Sequence, residues 1–198
     1  MFDWIVSVIE GWGYPGVFFL MLAENVFPPI PSELIMPLAG FLAGKGSMNF
    51  VLVVIAGTVG SVLGTLMWYY IGAAIGAARL KAFAARHGRW LTMSPSDIDN
   101  AIAWFNSRGR SAVFFGRMVP AVRTLISVPA GIARMPMGSY LALTTAGSAI
   151  WTTLLAGAGL VLQDNYHRVE GFLDPLSKVV LVLAVAIYVW RVIRWKPH

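Results

Sequence analysis

The chain contains no cysteine, which excludes disulfide bonds and thiolate metal sites. Histidine is scarce as well, because only His87, His167 and His198 are present and they lie far apart in the sequence. No cluster of Asp, Glu and His has the spacing of a metal site, and no residue set is typical of a serine-hydrolase or phosphatase centre. We therefore expect no metal, no cofactor, no catalytic residues and no enzymatic activity.

Charged residues are few: they form 12% of the sequence, whereas 58% is hydrophobic and the mean hydropathy is +0.70. A soluble domain typically has about 25% charged and about 45–50% apolar residues. The composition therefore predicts a membrane protein, and the length of 198 residues predicts a single domain over 1–198. The first residues lack the basic segment and the cleavage site of a removable signal peptide, so we expect 1–14 to remain as an interfacial segment.

Acidic residues are outnumbered, with 9 Asp and Glu against 15 Lys and Arg, which gives a net charge of +6. Such a charge is compatible with nucleic-acid binding, but the basic residues are dispersed or lie at the ends of apolar stretches. That placement is typical of contact with anionic lipid headgroups, and no nucleic-acid recognition motif accompanies it. We expect no nucleic-acid partner.

Three apolar stretches are long enough to cross a bilayer, which takes about 20 residues. They cover 50–78, 137–162 and 175–195. Two further stretches, 15–44 and 111–134, are interrupted by chain-breaking residues. The breaks are Pro28, Pro29 and Pro31 in the first stretch and Gly116 and Pro120 in the second. Because no half of these stretches is long enough to span, each stretch predicts a re-entrant hairpin that enters and leaves the membrane on one side.

The loop 79–110 carries more basic than acidic residues, so the positive-inside rule predicts that it is cytoplasmic. It contains a predicted amphipathic helix over 94–108, either on the membrane surface or packed on the hairpin as a connector. The basic C-terminus is expected in the cytoplasm, whereas the side of the N-terminus stays open. The hairpins then enter from opposite sides. The predicted fold is an all-α polytopic membrane protein, an inverted repeat of hairpin plus transmembrane helix with an additional C-terminal transmembrane helix.

Small residues recur in the two halves in a pattern that favours this repeat. The aligned pairs are Gly60 with Gly147, Thr65 with Thr152, Gly72 with Gly159, and Gly40 with Gly131. Small residues are also common in membrane helices for reasons of packing, so a coincidental pattern is the alternative. Paired broken helices in inverted halves are a recurring plan of transporters that bind their substrate near the midplane of the bilayer.

Two arginines, Arg117 and Arg123, flank Pro120 in the second hairpin. Ionisable groups at membrane depth are costly and tend to be functional. The guanidinium group keeps its charge and offers a planar fork that fits phosphate oxygens. The pair therefore predicts a site for the phosphate of a lipid headgroup.

Two glutamates, Glu24 and Glu33, flank the proline cluster of the first hairpin. A carboxyl group that alternates between an apolar setting and an arginine can take up and release protons as the protein moves. We therefore assign proton coupling to this pair. The alternative is that the glutamates and arginines form buried ion pairs that only hold the hairpins together.

Two motifs carry a resemblance to a known family. Glu24-x8-Glu33 with its proline tip, and Phe115-Gly116-Arg117-x2-Pro120-x2-Arg123 followed by Ala130-Gly131, resemble the DedA family of bacterial membrane proteins. The resemblance covers nearly the whole chain. It implies a multi-pass protein of the bacterial cytoplasmic (inner) membrane in which the acidic pair falls on Glu24 and Glu33 and the arginine pair on Arg117 and Arg123.

The resemblance also implies a role in moving lipids between leaflets. For this chain it implies the return of undecaprenyl phosphate to the cytoplasmic leaflet, dependence on the proton motive force, and a contribution to resistance against cationic antimicrobials. The alternatives are a phosphatidylethanolamine flippase, a passive scramblase, and an assembly or scaffold protein without transport. The expected partners are the lipid substrate and protons, and the glycines permit a homo-oligomer.

Overall fold

The computed structural model describes residues 2–26, 32–91, 95–120 and 122–161, and every regular element in these ranges is an α-helix. The helices are α1 (Phe2–Trp12), α2 (Tyr14–Val26), α3 (Ser32–Gly44), α4 (Phe50–Leu91), α5 (Pro95–Gly116), α6 (Ser127–Ile132) and α7 (Met137–Val161). Two segments, Phe50–Ala85 and Met137–Val161, are long and apolar enough to cross a membrane. The all-α class is confirmed, and the span predicted over 175–195 lies outside the described residues.

Helix α4 is longer than the span predicted over 50–78, because it continues to Leu91. Residues 77–85 are rich in Ala, Leu, Lys and Arg, which are strong helix formers, so the helix persists after the apolar stretch has ended. Gly76 adopts a φ of +66° within α4, a conformation that favours glycine. The backbone therefore departs from regular helix close to the predicted end of the span.

Helix α5 is one continuous helix where the sequence predicts two separate elements. It begins at Pro95, near the start predicted for the amphipathic helix 94–108, but it continues to Gly116 in the first arm of hairpin 111–134. Gly109 does not end the helix. A Cβ at this glycine would lie 2.7 Å from the ring of Phe105, so the residue provides space for that ring instead of a helix stop.

The helices pack around α4 and α7. Helix α2 packs along α4, α6 also contacts α4, and α3 packs along α7. One buried cluster joins the N-terminal helices α1, α2 and α3 to α4 and α7, and α1 contributes Ile5 and Ile9 to it. A second cluster joins α4, α5 and α7 around Tyr69, Phe105 and Tyr140. The described part of the chain therefore has two buried apolar clusters.

The α3–α7 contact brings backbone against backbone. A Cβ at Gly159 of α7 would collide with the carbonyl oxygen of Pro37, and a Cβ at Gly40 of α3 would collide with the carbonyl oxygen of Ala156. Backbone carbonyls cannot rotate away as side chains do. Glycine is therefore needed on both sides of this contact.

The α4–α6 contact has the same construction. A Cβ at Gly72 of α4 would collide with the carbonyl oxygen of Val128, and a Cβ at Gly131 would collide with that of Tyr69. Each long helix contributes a glycine and, three residues before it, a carbonyl group that faces the glycine of the short helix. On α7 these residues are Gly159 and Ala156, and on α4 they are Gly72 and Tyr69. Gly72 and Gly159, and likewise Gly40 and Gly131, are pairs that the sequence alignment had matched.

Replacing Gly159 with alanine is expected to destabilise the protein, because the added methyl group must push α3 and α7 apart. Overpacking of this kind costs about 1–3 kcal/mol. Gly157, on the same helix, is the matched control: nothing lies within 4 Å of a Cβ there. Thermal unfolding in detergent should give a lower Tm for Gly159→Ala and an unchanged or higher Tm for Gly157→Ala. Equal Tm values for the two variants would contradict the close contact.

Candidate functional site

A buried ion pair links the two predicted hairpins. Glu24 lies in the last turn of α2, and Arg123 lies in the turn between α5 and α6. The Arg123 Nη2 donates a hydrogen bond to Glu24 Oε1, and both side chains are only 5% exposed. Asn25 Nδ2 donates to the other carboxylate oxygen, Oε2, at 2.6 Å. Both oxygens of Glu24 therefore accept hydrogen bonds from buried donors.

Arg117 is buried but is held differently from Arg123. Its Nη2 donates to Ser127 Oγ at 2.9 Å and to Tyr140 Oη at 3.1 Å. The Tyr140 hydroxyl in turn donates to the carbonyl oxygen of Thr65 at 3.2 Å, which fixes its position. Within the described part of the chain, Nε and Nη1 of Arg117 are buried and have no hydrogen-bond acceptor. One part of the guanidinium group is thus anchored and the other is unpartnered.

Glu33 lies in the first turn of α3 and is partly buried. Its Oε1 has no hydrogen-bond donor among the described residues, and the same holds for Oγ of the neighbouring Ser32. Glu24 interacts electrostatically with Glu33, Arg117 and Arg123. The four ionisable residues singled out in the sequence are therefore neighbours in the fold, two of each sign.

The chain breaks differ in what the structure describes. Pro28, Pro29 and Pro31 lie outside the described residues, between the end of α2 and the start of α3. In the second hairpin α5 ends at Gly116, and Pro120 lies in the turn that leads to α6. That turn is held by the backbone amide of Arg123, which donates to the Val119 carbonyl at 2.9 Å. The break therefore places Arg117 and Arg123 in irregular backbone.

Sequence reasoning missed the neutral partners of the charged residues. Tyr140 and Ser127 anchor Arg117, while Asn25 contacts Glu24 and its carbonyl accepts a hydrogen bond from Trp68 Nε1 at 2.8 Å. One signal was available: Asn25 is a polar residue beside Glu24 in an otherwise apolar stretch.

The comparisons with known proteins agree with the motifs. A model of the VTT domain matches residues 30–161. A Lactococcus lactis protein named "alkaline phosphatase-like protein" is 42% identical over 96% of this chain and 89% of its own length. The "undecaprenyl phosphate transporter A" of Staphylococcus aureus is 34% identical over 96% of this chain and 94% of its own length.

The corresponding "undecaprenyl phosphate transporter A" of Bacillus subtilis is 30% identical over 92% of this chain and 88% of its own length. No solved structure matches. The matched region contains Glu33, Arg117 and Arg123, and the relatives cover nearly the whole chain. The chain therefore belongs to the VTT-domain family, the DedA family of membrane proteins that the hairpin motifs resembled.

Proposed function

We propose that this protein is a lipid transporter that returns undecaprenyl phosphate to the cytoplasmic leaflet of the bacterial cytoplasmic membrane. The observation that carries the proposal is Arg117, a buried arginine with unpartnered N–H donors beside a second buried arginine. The relatives named as undecaprenyl phosphate transporters, at 34% and 30% identity, point to the same substrate. A phosphate-bearing lipid matches both observations.

Arg117 is the residue that first binds the phosphate. Its Nε carries one N–H and its Nη1 carries two, and the described residues offer none of them an acceptor. Buried donors without acceptors are costly, so an anionic oxygen at this place gains more than it would at a solvated arginine. Ser127 and Tyr140 hold Nη2 and thereby keep the guanidinium group oriented before the lipid arrives.

Arg123 becomes able to bind the phosphate when Glu24 takes up a proton. In the described arrangement it is paired with Glu24, so its charge is already neutralised. A proton on Glu24 removes the carboxylate charge and leaves Arg123 available for the phosphate. Glu33, with an unpartnered Oε1, is the second group that can take up the proton. Phosphate binding and protonation of the glutamates then favour each other, which is the requirement for coupled transport.

Two re-entrant hairpins in an inverted repeat would let access alternate between the leaflets. The matching glycine contacts of α3 with α7 and of α6 with α4 support this arrangement, because equivalent positions make equivalent contacts in both halves. The hairpin over 15–44 enters from the outside and the hairpin over 111–134 from the cytoplasm, with a cytoplasmic C-terminus. The lipid tail stays in the bilayer while the phosphate crosses between the hairpin tips.

The central site acts by binding and release, and we assign it no catalytic residue. The Lactococcus lactis relative carries a phosphatase-like name, so hydrolysis of the phosphate is the competing reading. A phosphatidylethanolamine flippase and a passive scramblase are alternatives that share the same path through the protein. These alternatives differ in their substrates, their products and their response to a pH gradient, so transport assays can separate them.

The test is movement of undecaprenyl phosphate between the leaflets of proteoliposomes, with and without an imposed pH gradient. Wild-type protein should move the lipid faster with the gradient, release no inorganic phosphate, and lose the activity on Arg123→Ala. Arg108→Ala is the matched control, since Arg108 is an exposed arginine of α5 remote from the pair.

Three outcomes would each count against the proposal. Movement that ignores the gradient indicates a scramblase, release of inorganic phosphate indicates a hydrolase, and no movement by protein that elutes as a folded species in size-exclusion chromatography removes the transport reading. A parallel assay with phosphatidylethanolamine determines whether the protein moves any lipid that carries a phosphate group or only undecaprenyl phosphate.

A further inference from the structure

A second basic site lies apart from the buried charges. A cleft of about 180 Å³ opens between α5 and the turn that connects α6 to α7. Its lining includes Phe105, Asn106, Arg110, Arg134, Met135 and Ser139. Phe105 and Met135 are buried, whereas Arg110 and Arg134 are exposed. The lining contains two arginines, two neutral polar side chains and no acidic residue, so the cleft favours an anion.

Arg134 is held toward this cleft by an unusual backbone. Its φ of +51° lies in the left-handed region, which a bulky L-residue rarely adopts. The position follows a helix end where glycine is usual: the Arg134 amide donates to the Gly131 carbonyl, and the Met135 amide donates to the Ala130 carbonyl, both at 3.0 Å. Arginine occupies a place that glycine would fill without strain, and such strain is common at functional sites.

The two arginines come from different elements but share one opening. Arg110 follows Asn106 by one helical turn, so both side chains lie on the same face of α5. Across the cleft, the turn that carries Arg134 is fixed by Tyr69, whose hydroxyl donates to the Met135 carbonyl at 2.6 Å. The first turn of α7, with Ser139, adds the positive end of a helix dipole to the same opening.

The cleft lies where the chain passes from polar to apolar. Arg110 is the last charged residue of α5 before the apolar residues 112–115, and α7 begins its apolar span at Met137. Residue 110 is also seven positions before Arg117, about 10 Å along a helix axis, so the cleft is separate from the central pair. The exposed ring of Phe115 on α5 provides apolar surface beyond the cleft.

From these observations we infer that the cleft binds the phosphate of an anionic membrane lipid at headgroup depth. Arg110 and Arg134 contact the phosphate oxygens, Asn106 and Ser139 provide neutral hydrogen bonds, and the acyl chains lie along the apolar part of α5. The inference does not rest on transport, because it concerns a site at the surface and not the buried arginines.

The test is hydrogen exchange of the backbone amides over 133–140, in neutral phosphatidylcholine nanodiscs with or without phosphatidic acid. Phosphatidic acid should slow this exchange several-fold in wild-type protein but leave it unchanged in Arg110→Gln, which alters no residue of the measured peptide. Arg134→Gly should also abolish the protection while keeping the turn, because glycine accepts the left-handed backbone. Arg108→Gln is the matched control and should keep the protection of the wild type.

Each variant is compared with itself in the presence and absence of the lipid, so altered intrinsic exchange does not affect the result. If Arg108→Gln lost as much protection as Arg110→Gln, the protection would depend on the general positive charge at the membrane surface. That result would overturn the proposed site. No protection in wild-type protein would overturn it as well. Inorganic phosphate at the same concentration is the second arm: protection equal to that of phosphatidic acid would overturn the assignment to a lipid and indicate a soluble anion.

Discussion

Arg117→Lys is expected to reduce transport of undecaprenyl phosphate at least about tenfold, although it keeps the positive charge. An ammonium group that donates to Ser127 and Tyr140 has a single N–H left for the lipid, whereas the guanidinium group has three, on Nε and Nη1. Loss of one charge-assisted hydrogen bond costs about 1.5–3 kcal/mol, and about 1.4 kcal/mol corresponds to a factor of ten. The measurement is the rate of leaflet exchange in proteoliposomes at matched protein density.

Two further variants separate orientation from charge. Tyr140→Phe keeps the buried ring but removes the hydroxyl that accepts from Arg117, so it should give a smaller loss of transport with normal folding. Arg108→Lys makes the same chemical change as Arg117→Lys at an exposed position of α5 and should have no effect. Wild-type transport by Arg117→Lys would show that charge alone suffices and would remove the oriented phosphate contact from the mechanism.

The sequence predicts the charged residues of the site better than their partners. Arg117, Arg123, Glu24 and Glu33 stand out because charge is rare in this chain and each lies beside a chain break. Tyr140 has no such signal, because it lies in an apolar span and its contacts with Arg117 and Thr65 cross 23 and 75 residues of sequence. Contacts of that separation depend on helix packing, which composition and periodicity do not specify.

The sequence analysis places helix ends where the hydrophobicity changes. This rule fails where the residues that follow an apolar stretch are themselves good helix formers. Helix α4 runs to Leu91 because good helix formers follow its apolar part, and α5 passes Gly109 because that glycine makes room for Phe105. The matched glycines were more informative. Their alignment left an inverted repeat and a coincidental pattern of small residues as alternatives, and two of the matched pairs, Gly72 with Gly159 and Gly40 with Gly131, lie at close backbone contacts.

Substitutions in the buried Glu24–Arg123 pair are expected to affect stability and transport differently. Removing one partner of a buried ion pair costs about 3–5 kcal/mol, because the other charge is left uncompensated. Glu24→Gln should destabilise more than Arg123→Gln, since a carboxyl group can become neutral by taking up a proton whereas a guanidinium group keeps its charge. The double variant should regain much of the lost stability, because neither charge of this pair is then left without its partner. The measurements are thermal unfolding in detergent and gradient-driven transport.

These variants distinguish an ion pair that only holds the hairpins together from a proton-coupled site. If the pair only holds the two hairpins together, the stable double variant transports lipid as the wild type does. If Glu24 exchanges protons with the phosphate site, the double variant folds and yet loses its response to the pH gradient. Asp99→Asn provides the control for loss of an ion pair, because Asp99 and Lys81 form an exposed pair between α5 and α4. Exposed pairs contribute about 0–1 kcal/mol, so this variant should unfold and transport almost as the wild type does.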